Sequence, residues 1–191
     1  INAATTGAIT LNALTIAENY SGSADDLESA FVGITSHEGT IGATGATTVA
    51  QANKFDAVTT GVVTAIIDST ATLLATLTGT TGAYTVTLTA GEAAASLAEL
   101  VSINAATTGA ITLNALTIAE DYSGSADDLE SAFVGIADGT HTGTLGATGA
   151  TTVAQANKFD AVSTGIVTAI ISDTAVNLAT LTGTTGAYAL T

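Results

Sequence analysis

The chain has 191 residues, a formal net charge of −15, and no Cys, Met, Trp or Pro. Its 2 basic residues, against 17 carboxylates, are too few to neutralise phosphates, so nucleic acids and anionic membrane surfaces are excluded as partners. A hydrophobic share of 47% argues against disorder, and no apolar run approaches the roughly 18 residues that would allow membrane insertion.

The first predicted elements are a strand and a helix. Residues 8–18 are rich in Thr, Ile and Leu with partial alternation, which predicts a β-strand. A helix is predicted to follow Ser23, because Ser23 can cap it and Asp26 stands three residues later, as in a capping box. Helical spacing places four apolar residues on one face: Leu27, Ala30, Phe31 and Ile34.

The next pair repeats this order. Residues 39–46 form the weakest predicted strand, because glycines interrupt it. The helix that follows is predicted over 48–58, with Thr48 as its cap and Gln51 at the third helical position. Its apolar side consists of Val49, Ala52 and Phe55.

Two more pairs complete the pattern. Strands are predicted over 62–68 and 84–90, where Thr and β-branched residues are frequent. The helix predicted within 68–77 begins at a Ser/Asp/Thr cluster and should bury Leu74 and Leu77. A last helix within 91–102 groups its apolar side chains: Leu97, Leu100 and Val101.

The chain then repeats itself. Residues 1–34 and 103–136 differ only at Asn19 versus Asp121, and 42–58 matches 146–162 without a change. The match continues loosely through "GTTGAY" at 79–84 and 183–188. We therefore predict two long repeat units, 1–102 and 103–191, of which the second is incomplete at its C-terminus.

The sequence predicts an α/β fold. A few apolar side chains per strand–helix module cannot offset the entropy of ordering its backbone, so modules must share their apolar faces with neighbours. We expect a repeat solenoid of short parallel strands alternating with short helices, with about four modules per unit of about 102 residues. The alternative is two tandem immunoglobulin-like β-sandwiches, which the unit length and the Thr-rich strands also suit.

Three stretches resemble a known group of repeats. They are "TVAQANKFDAVTTGVVTAIIDSTATLLATLTG" at 48–79 and "INAATTGAITLNALTIAE" at 1–18, together with "VTAIISDTAVNLATL" at 167–181. They look like the Ala/Thr/Gly/Asp-rich repeats of very large bacterial, often cyanobacterial, secreted surface and adhesin-like proteins of RTX-associated type. The resemblance implies an extracellular or cell-surface location. The calcium nonapeptide that accompanies such proteins is absent from this sequence.

Acidic residues cluster around "YSGSADDLES" in both units. Ca²⁺ prefers several carboxylate and carbonyl oxygens, so a calcium site is one interpretation. The other is that these carboxylates stabilise helix N-termini. The candidate calcium ligands are Glu18, Asp25, Asp26, Glu28, Glu120, Asp121, Asp127, Asp128 and Glu130.

Other polar residues give weaker signals. His37 and His141 stand in Gly/Thr/Ser-rich loops and are predicted to be solvated rather than catalytic. Lys54 and Lys158 are predicted either to face solvent or to pair with a carboxylate of a neighbouring module. The four tyrosines are predicted to pack rather than to form a sugar-binding platform.

These patterns predict a structural repeat segment of a bacterial extracellular fibre, adhesin or surface-layer protein. It would act by self-assembly, with copies of itself as partners. The alternative is an extracellular module that binds a cell-surface glycan or Ca²⁺. A secreted enzyme is a remote alternative, because no catalytic motif is found, and no other cofactor is expected.

Overall fold

A computed structural model describes residues 5–80, 82–183 and 186–191. Residues 1–4 of the first repeat unit lie outside the described residues. So do Thr81, Thr184 and Thr185 of the two "GTTGAY" stretches.

Strands and helices alternate along the described chain. The strands are β1 Tyr20–Ser23, β2 Ile41–Ala46, β3 Val63–Ser69, β4 Gly82–Leu88, β5 Ile111–Thr112, β6 Tyr122–Ser125, β7 Leu145–Thr151, β8 Val167–Ile171 and β9 Gly186–Leu190. The helices are α1 Ala13–Ile16, α2 Ala24–Phe31, α3 Val49–Val58, α4 Ala71–Leu74, α5 Leu97–Ala106, α6 Ala115–Ala119, α7 Ala126–Phe133, α8 Val153–Val162 and α9 Ala175–Leu178. The predicted α/β class is confirmed.

The strands form two parallel sheets in which spatial order follows chain order. One sheet runs β1-β2-β3-β4-β5 and the other runs β6-β7-β8-β9. The pairing of β3 with β4 is in register from Val63 opposite Gly82 to Ser69 opposite Leu88. Immunoglobulin-like sandwiches consist of antiparallel sheets, so that alternative is wrong.

The predicted helix caps are present. The Ser23 side chain accepts a hydrogen bond from the Asp26 amide at 3.2 Å. Thr48 Oγ1 accepts from the Gln51 amide at 3.2 Å, and Gln51 Oε1 accepts from the Thr48 amide at 3.1 Å, which completes the capping box. Local cap chemistry therefore sets where α2 and α3 begin.

The predicted strand over 8–18 is wrong for most of its length. Asn12 Oδ1 accepts from the amides of Leu14 and Thr15 at 3.1 and 3.0 Å, and this cap starts α1. Only Ile9 makes an isolated parallel bridge, to Ile34. The strand that does form is β1, which the sequence analysis missed because its residues, "YSGS", have little β-propensity beyond the tyrosine.

The apolar core crosses the boundary between the two repeat units. One cluster of buried side chains extends from Ala24 to Val167. The boundary at 102/103 lies inside α5, where Leu100 and Ile103 are both fully buried. Most predicted core residues are buried, whereas Ala30 is exposed and three are half-buried: Ile34, Leu97 and Val101.

A short turn with a hydroxyl two residues before a glycine recurs along the chain. We call Thr59–Gly61, Thr107–Gly109 and Ser163–Gly165 the hydroxyl–glycine turns. In each, the side-chain oxygen accepts from the amide of its own glycine at 3.0 Å. The same hydroxyl donates to a backbone carbonyl of an earlier segment, at Gly39, Tyr84 or Gly143, over 2.8, 2.9 and 3.2 Å. Each turn thus joins two successive segments of the chain.

The glycines of these turns are required by backbone proximity. A Cβ atom at Gly61 would lie closer than 3.0 Å to the Gly39 carbonyl oxygen. The same holds at Gly109 for the Tyr84 carbonyl and at Gly165 for the Gly143 carbonyl. Backbone cannot rotate away as a side chain can, so any larger residue would push two segments apart.

We expect Gly61→Ala to lower the free energy of unfolding by about 1–3 kcal/mol, because the added methyl group overpacks a backbone contact. The matched control is Gly22→Ala, whose Cβ would meet only Leu27 Cγ at an ordinary 3.9 Å. Urea unfolding followed by circular dichroism measures both variants. Equal stabilities of the two variants would contradict the close-approach argument.

Candidate assembly surfaces

The two lysines connect neighbouring helices. Lys54 of α3 forms an ion pair with Glu28 of α2, and Lys158 of α8 forms the equivalent pair with Glu130 of α7. The lysine side chains remain 63% and 60% exposed, so both of the predicted alternatives hold in part. The basic residues of α3 and α8 therefore stand beside the acidic helices α2 and α7.

A glutamine strengthens the same contact. Gln51 Nε2 donates to Asp25 Oδ1 at 2.8 Å and to Glu28 Oε2 at 3.1 Å. The hydrogen bond from Lys54, with that from Gln51, holds the pKa of Glu28 below its usual value. In the second unit Lys158 lowers the pKa of Glu130 in the same way. These bonds tie the start of α3 to α2.

The candidate calcium ligands are divided among separate contacts. Asp26 and Asp128 accept from the capping hydroxyls of Ser23 and Ser125 at 2.7 Å, which fits the helix-terminus interpretation. Asp127 Oδ1 accepts from Gln155 Nε2 at 2.8 Å. No group of three or more metal-ligating side chains occurs among residues 5–80, 82–183 and 186–191. The calcium site stays a prediction.

Residues 1–34 and 103–136 differ only at Asn19 and Asp121, and this difference preserves a hydrogen bond. Asn19 Oδ1 accepts from the Thr40 amide at 2.7 Å, and Asp121 Oδ1 accepts from the Thr144 amide at 2.6 Å. This bond from Thr144 lowers the pKa of Asp121. Both residues therefore serve as oxygen acceptors between neighbouring segments.

The prediction of solvated histidines is wrong, because His37 and His141 are both fully buried. His37 Nε2 lies 2.9 Å from the Glu18 carbonyl, which can only accept, so this nitrogen carries the proton. His37 Nδ1 lies 3.0 Å from the hydroxyl of Thr59, in the first hydroxyl–glycine turn. The ring packs edge-on against Phe31, with the centroids 5.1 Å apart.

His141 repeats this arrangement. Its Nε2 lies 2.9 Å from the Glu120 carbonyl and its Nδ1 lies 3.2 Å from Ser163 Oγ. Each histidine thus joins three segments of the chain. The sequence pattern that could have revealed these contacts is a hydroxyl residue 22 positions after each histidine, namely Thr59 and Ser163.

The tyrosines pack, as predicted. Tyr84 is fully buried, and its hydroxyl donates to the carboxylate of Asp56. The hydroxyl of Tyr122 donates to the Ala95 carbonyl at 2.6 Å, and burial raises its pKa.

A groove of about 320 Å³ beside the lysine–glutamate pair occurs in each unit. Residues that line it in the first unit include Glu28, Phe31, Val32, Lys54 and Val58. Their counterparts in the second unit are Glu130, Phe133, Val134, Lys158 and Val162. The groove is apolar at its base and carries the ion pair at its edge.

The start of the described chain exposes a surface that is covered in the second unit. Residues that are identical in the two units differ in burial. Those of the second unit are at most 6% exposed: Ile111, Leu113, Asn114, Thr117 and Tyr122. Of their counterparts, Ile9, Leu11, Thr15 and Tyr20 are half-buried, and Asn12 is exposed. The difference marks the area that the end of the first unit covers.

The end of the chain shows the complementary difference. In β4, Tyr84, Val86 and Leu88 are buried. In β9, the counterpart Tyr188 is only half-buried and Leu190 is 51% exposed. The last strand therefore presents the surface that β5 covers in β4.

Comparison of the chain with protein-family models, with curated proteins and with solved structures finds no match. The resemblance to bacterial surface repeats stays a prediction. Across the described part of the chain, helices long and apolar enough to span a bilayer are absent.

Replacing both lysines should reduce the sensitivity of stability to acid. The pKa of Glu28 and of Glu130 is lowered in the folded chain, so the folded state keeps these groups ionised where the unfolded state binds protons. The resulting stability is present above about pH 4.5 and is lost as the pH falls through the folded pKa. In Lys54→Met/Lys158→Met, the melting temperature should fall less between about pH 7 and about pH 3 than in the parent. Each single variant should show about half this change. If the melting temperatures of the double variant and the parent fell equally with pH, the role of the two lysines in lowering the pKa of Glu28 and Glu130 would be contradicted.

His141→Gln should remove part of the pH dependence of the free energy of unfolding between about pH 7.5 and about pH 5.5. Burial lowers the pKa of His141, so the unfolded imidazole takes up a proton before the folded one does. The contribution of His141 to the free energy of unfolding is therefore fully present above about pH 6.5, and it is lost as the pH falls from there towards the pKa of the folded state. Urea unfolding at about pH 7.5 and about pH 5.5 should show a smaller difference in the variant, which keeps an amide donor and acceptor but cannot titrate. An unchanged difference would contradict the role of this histidine.

Proposed function

We propose that the chain is a structural repeat segment of a bacterial extracellular fibre, adhesin or surface-layer protein. It acts by stacking strand–helix modules in a line, as a repeat solenoid. The agreement between the spatial order of the strands and their chain order supports this proposal, as does the cluster of buried side chains that runs through both units.

The observation that carries the proposal is the junction between the two units. The short strand β5, which belongs to the second unit, pairs in parallel with β4 of the first, with Val86 opposite Ile111 and Thr87 opposite Thr112. Helix α5, which contains the boundary, packs against α7. Units are therefore joined by the same kind of pairing that joins strands within a unit, and nothing in this geometry limits the number of units.

The distribution of charge directs association towards the ends. The chain carries a net charge of −15, which opposes side-by-side contact between copies. Strand edges and apolar side chains are instead exposed at the ends, at Ile9 and Leu11 on one side and at Leu190 on the other. Unpaired strand edges are known templates for further pairing.

End-to-end stacking predicts particles that lengthen without thickening. One copy should be about 40–50 Å long, from a strand spacing of about 4.8 Å. With rising concentration, small-angle X-ray scattering should show increasing length at constant cross-section, and electron microscopy should show rods.

Two variants with matched exposure test the direction of growth. Leu190 at the chain end is 51% exposed and Ile170, within β8, is 52% exposed. Leu190→Lys should stop the lengthening, whereas Ile170→Lys should leave it unchanged. Particles that thicken instead, or equal effects of the two variants, would contradict end-to-end stacking.

A further inference from the structure

We propose that the N-terminal face, which we define as Gly7, Ile9, Asn12, Thr15 and Tyr20, binds a segment with the sequence of residues 82–102. A preceding copy of the repeat would supply this segment. The inference rests on the proposed stacking function and specifies which atoms form the joint.

The second unit shows this face in its occupied state. Thr107 Oγ1 accepts from the Tyr84 amide at 2.8 Å and donates to the Tyr84 carbonyl at 2.9 Å. The Thr108 amide donates to the Gly82 carbonyl at 3.0 Å, and the Val86 amide donates to the Ala110 carbonyl at 2.9 Å. A strand is thus held by backbone groups and by one hydroxyl.

The same turn is already formed in the first unit. Thr5 Oγ1 accepts from the Gly7 amide at 3.0 Å, as Thr107 Oγ1 does from Gly109. Residues 5–8 have the sequence of 107–110. The first unit therefore presents the receiving turn in its bound geometry, which lowers the ordering cost of binding a strand.

The loop after the strand is held by three side chains in the second unit. Asn114 Nδ2 donates to the Thr89 carbonyl at 3.2 Å. The Ala95 amide donates to Thr117 Oγ1 at 2.9 Å, and the Tyr122 hydroxyl donates to the Ala95 carbonyl at 2.6 Å. Ala95 thus has both of its backbone polar groups satisfied by the second unit.

The first unit carries the same three side chains as Asn12, Thr15 and Tyr20. Asn12 Oδ1 caps α1, and the Thr15 hydroxyl donates to that oxygen at 3.0 Å. Asn114 likewise caps α6 through its Oδ1, which leaves its Nδ2 for the loop. The first unit therefore carries the same capping asparagine on the corresponding helix, beside the same threonine.

The space around one glycine differs between the occupied face of the second unit and the open N-terminal face. A Cβ at Gly109 would lie closer than 3.0 Å to the Tyr84 carbonyl. A Cβ at Gly7 would meet only Thr5 Oγ1, at 3.4 Å. Gly7→Ala therefore fits the chain as described and blocks the strand that the N-terminal face would receive.

The occupant is a repeat segment because the corresponding residues of the second unit bind residues 82–102. Strand β9 carries the strand half of this segment, with Tyr188 in the place of Tyr84. Copies of this chain would then meet through the strand half alone. A peptide of residues 82–102 provides the strand and the loop together, and it is the sharper probe.

The test is the binding of a fluorescently labelled peptide of sequence 82–102 to the full 191-residue chain, measured by anisotropy. We expect saturable binding. Thr15→Val should weaken it about tenfold, because the Ala95 amide loses its acceptor in a buried site. Thr15→Ser, which keeps the hydroxyl, should bind as the parent does. Gly7→Ala should weaken binding more than tenfold with an unchanged melting temperature.

Gly7 also distinguishes the face from exchange of the peptide into the internal junction. Exchange would displace the chain's own residues 82–102 and would not depend on Gly7. Absence of saturable binding, or equal binding by the parent and Gly7→Ala, would overturn the inference. Failure of the particles to lengthen would overturn the proposed function, whereas the peptide result alone decides this inference.

Discussion

The close approach of successive backbone segments at the hydroxyl–glycine turns determines much of this structure. The glycine of each turn lies so close to a carbonyl oxygen of an earlier segment that an added Cβ atom would overlap with it. These glycines are Gly61, Gly109 and Gly165. The hydroxyl two residues before each glycine bonds to that same segment. Each turn therefore fixes both the spacing and the hydrogen bonding between two segments of the chain.

Polar side chains between segments complete this scheme. His37 and His141 donate from Nε2 to a backbone carbonyl, and their Nδ1 atoms lie 3.0 and 3.2 Å from a hydroxyl of these turns. The lysine–glutamate pairs act differently, because they lie at the surface. Each pair connects an acidic helix, α2 or α7, to the helix that follows it. Buried contacts thus set the geometry, and exposed ion pairs, which contribute little stability each, relieve repulsion.

Features fixed by near neighbours in sequence were predictable, and features fixed by distant ones were not. Ser23 and Thr48 cap helices through residues three positions away, so the starts of α2 and α3 could be predicted. The histidines were placed in solvent because their partners lie 22 residues later, in the next segment. The strand predicted over 8–18 was wrong because Asn12 caps a helix within an alternating pattern. Which residues would be exposed at the start of the described chain could not be predicted, since they are identical to buried residues of the second unit.

The insertion that lengthens the second unit lies outside the residues that receive the first unit. It falls at 137–140, after α7, where Gly139 adopts φ 69° in a turn. The residues that receive the first unit lie within 107–122, inside the longest stretch shared by the two units. At 5–20 the counterparts of these residues are more exposed in the described chain. In the first unit Asn12 caps α1 and Tyr20 packs against Phe31 and His37. In the second unit the counterparts Asn114 and Tyr122 also bond to the loop of the first unit. The bonds that Asn114, Thr117 and Tyr122 make to the first unit are therefore open to Asn12, Thr15 and Tyr20 if that face receives the same segment.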